Sequence, residues 1–189
     1  MQPEVRSVLA AMRGSLEAAG CVVTDAAPAL ADADEVFQVL RAARMAAMAP
    51  LLRAHRDQVK ATLAWNIEKG VALTGEQVAA ARAGHAEIFQ RFGAFLADGR
   101  YEVLALPTVQ VLPFPVEQEW VTEINGEPMT TYIDWMRSCS RITVTAHPAV
   151  SVPAGLTAAG LPVGLQLVGR YGADRRLLEI AAAIMELTS

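Results

Sequence analysis

Two apolar runs, Pro148-Ala-Val-Ser-Val-Pro-Ala-Gly155 and Gly160-Leu-Pro-Val-Gly-Leu-Gln-Leu-Val-Gly169, decide how this chain folds. Both are cut by Pro and Gly, so they read as short strands, and Ala159-Gly160 between them predicts a tight turn. The segment from Asp174 to Leu187 is amphipathic at helical spacing and is expected to cover the two strands. Upstream, Tyr101-Glu-Val-Leu-Ala-Leu106 reads as a further strand whose apolar run suits cover on both faces. Before it, Thr74-Gly-Glu-Gln77 has the form of a capping box. The helix it opens carries Val78, Ala81, His85, Ile88, Phe89, Phe92, Phe95 and Leu96 on one face, with its end expected at Gly99.

The remaining elements follow from the same signals. Glu4 to Ala19 places Val5, Val8, Leu9, Met12 and Leu16 on one helical face, and Gly20 is the expected stop. Cys21-Val-Val-Thr24 reads as a short strand. A second helix, with Asp34 as its cap, turns Val36, Phe37, Leu40 and Ala43 inward and is interrupted at Pro50. Leu51 to Gly70 is read as helical. Pro107, Pro113 and Pro115 make the next stretch irregular, Asn125-Gly126 marks a turn, and Thr130 to Thr145 is a broken helix. This alternation of helices and strands predicts an α/β fold, a mixed β-sheet covered by helices, in a single domain spanning residues 1–189.

Composition narrows the function classes. A net charge of −4 speaks against a nucleic-acid binder, which would carry a basic stripe. No apolar run approaches the roughly 18 residues that a membrane helix needs. Met1-Gln-Pro-Glu-Val-Arg is followed by no apolar signal core, so a cytoplasmic location is expected. Cys21 and Cys139 lie far apart with no C-x-x-C pattern, which reads as reduced packing residues rather than a disulfide or a metal site.

Nucleophilic catalysis of acyl transfer needs a nucleophile, a proton shuttle and donors for the developing oxyanion, and the candidates for each can be read one by one. Ser7, Ser15, Ser138, Ser140 and Ser151 all lie outside any Gly-x-Ser-x-Gly elbow or Gly/Ser-rich loop. His85 falls on an apolar helix face and reads as packed. His147 precedes Pro148 and should be extended; a relay through it to a Ser, or to Cys139 as a thiol nucleophile, remains open on spacing alone. Lys60 and Lys69 read as solvated charges. Glu117, Glu119, Glu123 and Glu127 fit an exposed acidic loop better than a metal cage, and neither a zinc spacing nor a glycosidase-like pair emerges.

Taken in order, several segments resemble the C-terminal portion of the amidase signature family, hydrolases and amidotransferases that attack carboxamides. They are Glu4-Val-Arg with Leu16-Glu-Ala-Ala-Gly-Cys-Val-Val23, Trp65-Asn-Ile-Glu-Lys-Gly70, Tyr101-Glu-Val-Leu-Ala-Leu-Pro-Thr108, Pro113-Phe-Pro115, Tyr132-Ile-Asp-Trp-Met136 and the terminal strand pair. The resemblance covers essentially the whole chain but only the second half of the family's fold. It implies acyl transfer by a Ser, with a second Ser bridging to a Lys base. All three belong to the upstream half, so no residue here is assigned a catalytic role and the chain alone is expected to be inactive.

What the resemblance assigns to this half is part of the central sheet and one wall of the acyl pocket. Thr108, Trp135, Met136 and Thr143 are the substrate-binding candidates; Trp135 and Met136 read equally well as core. Glutamine-using amidotransferases place an acidic residue near the position of Met136, and a Met cannot pair with an ammonium group. That points to an amidase of less polar substrates. Aligned on His147-Pro148, the family's frequent Asn-Leu-Thr-Gly run becomes Thr143-Val-Thr-Ala146. No cofactor or metal is implied. The expected partners are a small-molecule amide and either the missing N-terminal half or a second copy, because the strands around Leu104, Val152 and Leu165 would otherwise expose an apolar face. The alternative reading is a non-catalytic dimerisation or partner-binding module.

Overall fold

The turn at Gly160 closes the hairpin on which the molecule is built. Gly160 holds φ +77°, a left-handed conformation that costs a glycine nothing. Thr157 locks the turn, accepting from the Gly160 N–H through its carbonyl at 2.9 Å and from the Leu161 N–H through its hydroxyl at 3.1 Å. The paired strands are Ala149–Leu156 and Pro162–Val168. The structure is a computed structural model that describes residues 1–187. In chain order its strands are β1 (Leu104–Pro107), β2 (Glu123–Ile124), β3 (Glu127–Pro128), β4 (Ala149–Leu156) and β5 (Pro162–Val168). Its α-helices are α1 (Pro3–Ala18), α2 (Ala33–Met45), α3 (Ala49–Ala54), α4 (Ala61–Val71), α5 (Gly75–Ala97), α6 (Arg137–Thr143) and α7 (Asp174–Glu186).

The main sheet has the order β1-β5-β4, and both pairings are antiparallel. The α/β class stands; of the mixed sheet expected, this chain holds an antiparallel portion. Side chains alternate across β5, so each face receives its own layer. Val163, Leu165 and Leu167, with Val152 and Ala154 of β4, pack against Val5, Met12 and Leu16 of α1 and Leu177, Ala181 and Ile184 of α7. The amphipathic segment after Gly169 therefore covers the strands as its periodicity predicts. The expected open apolar face around Val152 and Leu165 does not exist, because α1 and α7 close it. On the other face Val168, with Leu104 and Leu106, meets Phe92 and Leu96 of α5 and Ile142 of α6. Phe92 and Leu96 have no solvent exposure, and truncating a side chain so enclosed costs on the order of 3–5 kcal/mol for Phe.

Four local expectations change. Cys21-Val-Val-Thr24 joins no ladder; Arg13 instead ties the Val23 carbonyl at 3.3 Å, and Cys21 is exposed. Strand β1 starts at Leu104, three residues later than the Tyr101 read from the sequence, and it leaves Ala105 exposed rather than covered. The second helix begins at Ala33, so Asp34 lies in its first turn and is not the cap. The stretch from Leu51 to Gly70 splits into α3, a 3-10 turn at Arg56–Gln58, and α4. Pro50 sits in the first turn of α3, where its missing N–H has no helical partner to lose. Gly70 is required by the crossing of α4 on α2, since a Cβ there would stand 1.9 Å from the Ala42 carbonyl oxygen.

The capping box at Thr74 and Gln77 is formed in both directions, at 3.2 and 2.9 Å. At the far side of α5, Arg91 grips both carboxylate oxygens of Asp32, joining α5 to the start of α2. Those hydrogen bonds hold the Asp32 carboxyl below the usual carboxylate range. A carboxyl depressed on folding adds stability above its unfolded pKa and loses it as pH falls through the folded value. Asp32→Asn is therefore expected to flatten the acid limb of the stability curve below about pH 4. Because the pair is partly exposed, high salt should shrink the difference. Denaturant midpoints of both proteins across that range check it.

Candidate functional site

Where β1 runs out, Thr108 becomes the hub of a polar cluster on the sheet face opposite α1 and α7. Its N–H donates to the Gly164 carbonyl at 3.0 Å, extending the β1–β5 ladder by one residue. Its carbonyl accepts from the Ser138 hydroxyl at 2.9 Å and from the Cys139 thiol at 3.1 Å. Its own hydroxyl lies 2.7 Å from the Ser151 hydroxyl, one donating to the other. Gly164 makes this possible: a Cβ there would sit 2.7 Å from Thr108 Oγ1 and 2.9 Å from Ser151 Oγ. Gln166, across from Ser151 in the register, is buried and donates through Nε2 to the Ser138 carbonyl at 3.2 Å.

Helix α6 carries the second side of the cluster. Met136 stands at its N-terminus and Thr143 at its last turn, with Cys139 between them. Thr143 is exposed and its hydroxyl donates back to the Cys139 carbonyl at 2.9 Å. Arg141 forks onto both Asp34 oxygens at 2.8 and 2.7 Å, and Arg137 reaches the buried Asp134 at 3.2 Å. The Arg141 pair fixes the helix against α2, the Arg137 pair ties it to the turn before it, and the Asp34 carboxylate holds the Arg141 guanidinium pKa further up.

Of the four substrate-binding candidates, Thr108 and Thr143 are joined through Cys139, and Met136 precedes the first residue of the same helix. Trp135 turns elsewhere: its ring packs edge-on against Phe114 at 5.6 Å, beside Val111, Val121 and Ile124. Ser151, Ser138, Cys139 and Gln166 complete the cluster, although the family resemblance marks none of them as a binding residue. One signal in the sequence could have found them: a Gly and a Gln alternating on one face of an otherwise apolar strand.

The chemical groups do not assemble into a relay. His147 is buried with Nδ1 at 2.7 Å from the Thr145 carbonyl, and its ring contacts Phe89, Phe92 and Tyr171. Its carbonyl partner puts the hydrogen on Nδ1. Cys139 and Ser151 are engaged by Thr108, and neither contacts a His or Lys among the described residues. His85 is half-buried. Lys69, read as solvated, is half-buried instead, 5.0 Å from the Trp65 ring and 2.9 Å from Gln38 Oε1. Among the described residues no group of His, Cys, Asp and Glu could hold a metal ion, and no helix is long and apolar enough to cross a membrane.

Thr108 and the exposed Ser151 thus give the end of the sheet a hydroxyl-bearing face. This chain belongs to the amidase family, whose profile matches residues 1–178. It is 29% identical over 186 residues to an acylamidase of Rhodococcus erythropolis, covering 96% of this chain and 38% of that protein. It is also 32% identical over 85 residues to an indoleacetamide hydrolase of Agrobacterium vitis, covering 45% of this chain and 18% of that protein. A bacterial aryl acylamidase of the amidase signature family superposes on all of this chain with a TM-score of 0.84 at 22% identity, over 41% of its own length. The chain therefore spans about two fifths of the relatives that it matches end to end.

The turn linking α6 to β4 departs from the easiest solution. Ala146, where the resemblance has a Gly, holds φ +54°, one of two non-glycine residues on that side among the described residues. Thr145, whose hydroxyl donates to Ile142 at 2.7 Å, and His147 pin the flanks, so the Cβ strain is accepted. A left-handed alanine costs roughly 1–2 kcal/mol, of which a glycine's unfolded freedom takes back roughly 0.4–1. Ala146→Gly is thus expected to stabilise the fold by about 0.5–1 kcal/mol, read as a raised denaturation midpoint with an unchanged slope. A lowered midpoint would mean that the turn is not strained.

Proposed function

We propose that this chain is the C-terminal portion of an amidase-like hydrolase that acts on carbon–nitrogen bonds of carboxamides. In this reading Thr108, Met136 and Thr143, backed by Trp135, form one wall of the acyl pocket. The Ser–Ser–Lys centre comes from the remaining three fifths or so of the fold. The observation that carries it is the open, hydroxyl-lined sheet face beside α6, in a family member that places no described His or Lys against Ser151 or Cys139. Met136 supports an amidase of less polar substrates over the amidotransferase branch, since a thioether holds no ammonium group.

Amide hydrolysis requires roughly 8 kcal/mol or more of transition-state stabilisation from several preorganised groups. The purified chain is expected to leave simple aryl amides and esters unhydrolysed. Turnover lost in Ser151→Ala or Cys139→Ala would overturn the proposal, because it would place a working nucleophile here.

A second reading is favoured by the sheet edges. The outer edges of β1 and β4 pair with no described strand, and the β4 edge is long. Such edges recruit partners, so the alternative is a dimerisation or partner-binding module derived from an amidase. Either reading makes the isolated chain associate, with a second copy or with the missing N-terminal half. Sedimentation at low micromolar concentration is expected to show a species larger than a monomer. A monodisperse monomer would remove the homodimer.

A further inference from the structure

The hairpin at Asn125-Gly126 carries a chemistry that the amidase reading does not use. Asn125 holds φ +55° and Gly126 φ +82°, so both central residues of the two-residue turn are left-handed. Both are exposed. The arms, Glu123–Ile124 and Glu127–Pro128, are two residues each, and one more hydrogen bond, Met129 N–H to the Thr122 carbonyl at 2.8 Å, extends them. A two-stranded ladder of this length opens at little cost. Glycine after asparagine leaves the following backbone nitrogen unshielded by any side chain.

We propose that Asn125 is a deamidation site whose conversion loosens the hairpin and the Met1 backbone docked on it. When the turn opens, the deprotonated Gly126 nitrogen attacks the Asn125 side-chain carbonyl carbon, forming a C–N bond. The C–N bond to the side-chain nitrogen breaks and ammonia leaves with the proton, giving a five-membered cyclic imide. Water then adds to either imide carbonyl and yields aspartate or isoaspartate, with no oxidant or reductant needed.

The consequence follows from what Asn125 holds. Its Nδ2 donates to the Met1 carbonyl at 2.7 Å. A carboxylate in its place has no hydrogen to donate, and two oxygens would face each other. Met1 packs against the α1 and α7 core cluster, while Gln2 keeps separate ties to Gln110 and Leu112. Isoaspartate also adds a carbon to the main chain, which a two-residue turn cannot absorb without shifting register. Ile124, buried in the cluster that supports Trp135, lies directly beside it.

The test is incubation of the intact protein in mildly alkaline buffer for weeks, followed by peptide mapping, beside a free peptide of residues 121–129. Expected are the mass gain of an NH2-to-OH exchange at Asn125, both aspartate and isoaspartate products, and faster amide hydrogen exchange at Ile124 and Met129 in the converted fraction. Asn125→Gly, which keeps a left-handed turn but has no side-chain amide, is expected to gain no mass and to keep its exchange rates constant through the incubation. An unconverted Asn125 in the protein while the peptide converts would overturn the proposal, because the fold would then shield the site. Conversion without altered exchange would overturn its structural consequence.

Discussion

The structure depends on β5 being able to pair on both edges while its two faces meet different surroundings. Leu165 and Leu167 go one way into the layer of α1 and α7; Gly164, Gln166 and Val168 go the other. Gly164 is the critical position in that pattern. Any Cβ there would enter the space of the Thr108 and Ser151 hydroxyls, which lie 2.7 Å apart. Removing a side chain from the middle of a strand weakens it, so a glycine there marks a close approach that the rest of the molecule needs. Here the approach brings the Thr108 hydroxyl, at the end of β1, against Ser151 of β4 across β5.

The placement of α6 then rests on polar contacts as well as on the burial of Ile142. Thr108's carbonyl is shared by Ser138 and Cys139, Gln166 holds the next carbonyl, and Arg141 clamps Asp34 across the helical layer. Partly buried, geometrically specific bonds of this kind define orientation more sharply than hydrophobic burial does. Burial is indifferent to small rotations, whereas a forked guanidinium is not. A helix whose exposed side is meant to face a substrate or another part of the fold gains from being fixed in this way.

Much of the architecture was legible because it rests on periodicity and turn chemistry. The two terminal strands, the capping box at Thr74, the stop at Gly99 and the turn at Asn125-Gly126 all appear where those signals place them. The misreadings share a cause. Cys21-Val-Val-Thr24 has strand composition but no neighbouring strand to pair with, and pairing is a tertiary fact. Asp34 looks like a cap one position along from the true helix start, and only the fold reveals that Arg141 claims its carboxylate. The apolar strands suggested an open face because single-strand composition cannot tell which layer will cover it.

The site was legible only in part, for a related reason. Thr108, Met136 and Thr143 come from the family resemblance, and the fold links Thr108 to Thr143 through Cys139. Ser151 and Gln166 lie more than forty residues away in sequence from Thr108, and only the strand register sets them beside it. Trp135 shows the limit from the other direction. Adjacent to Met136 in sequence, it turns into the Phe114 cluster, because neighbouring residues at a helix start point to different sides. Two consecutive residues can therefore face different surroundings, which their adjacency in sequence does not reveal.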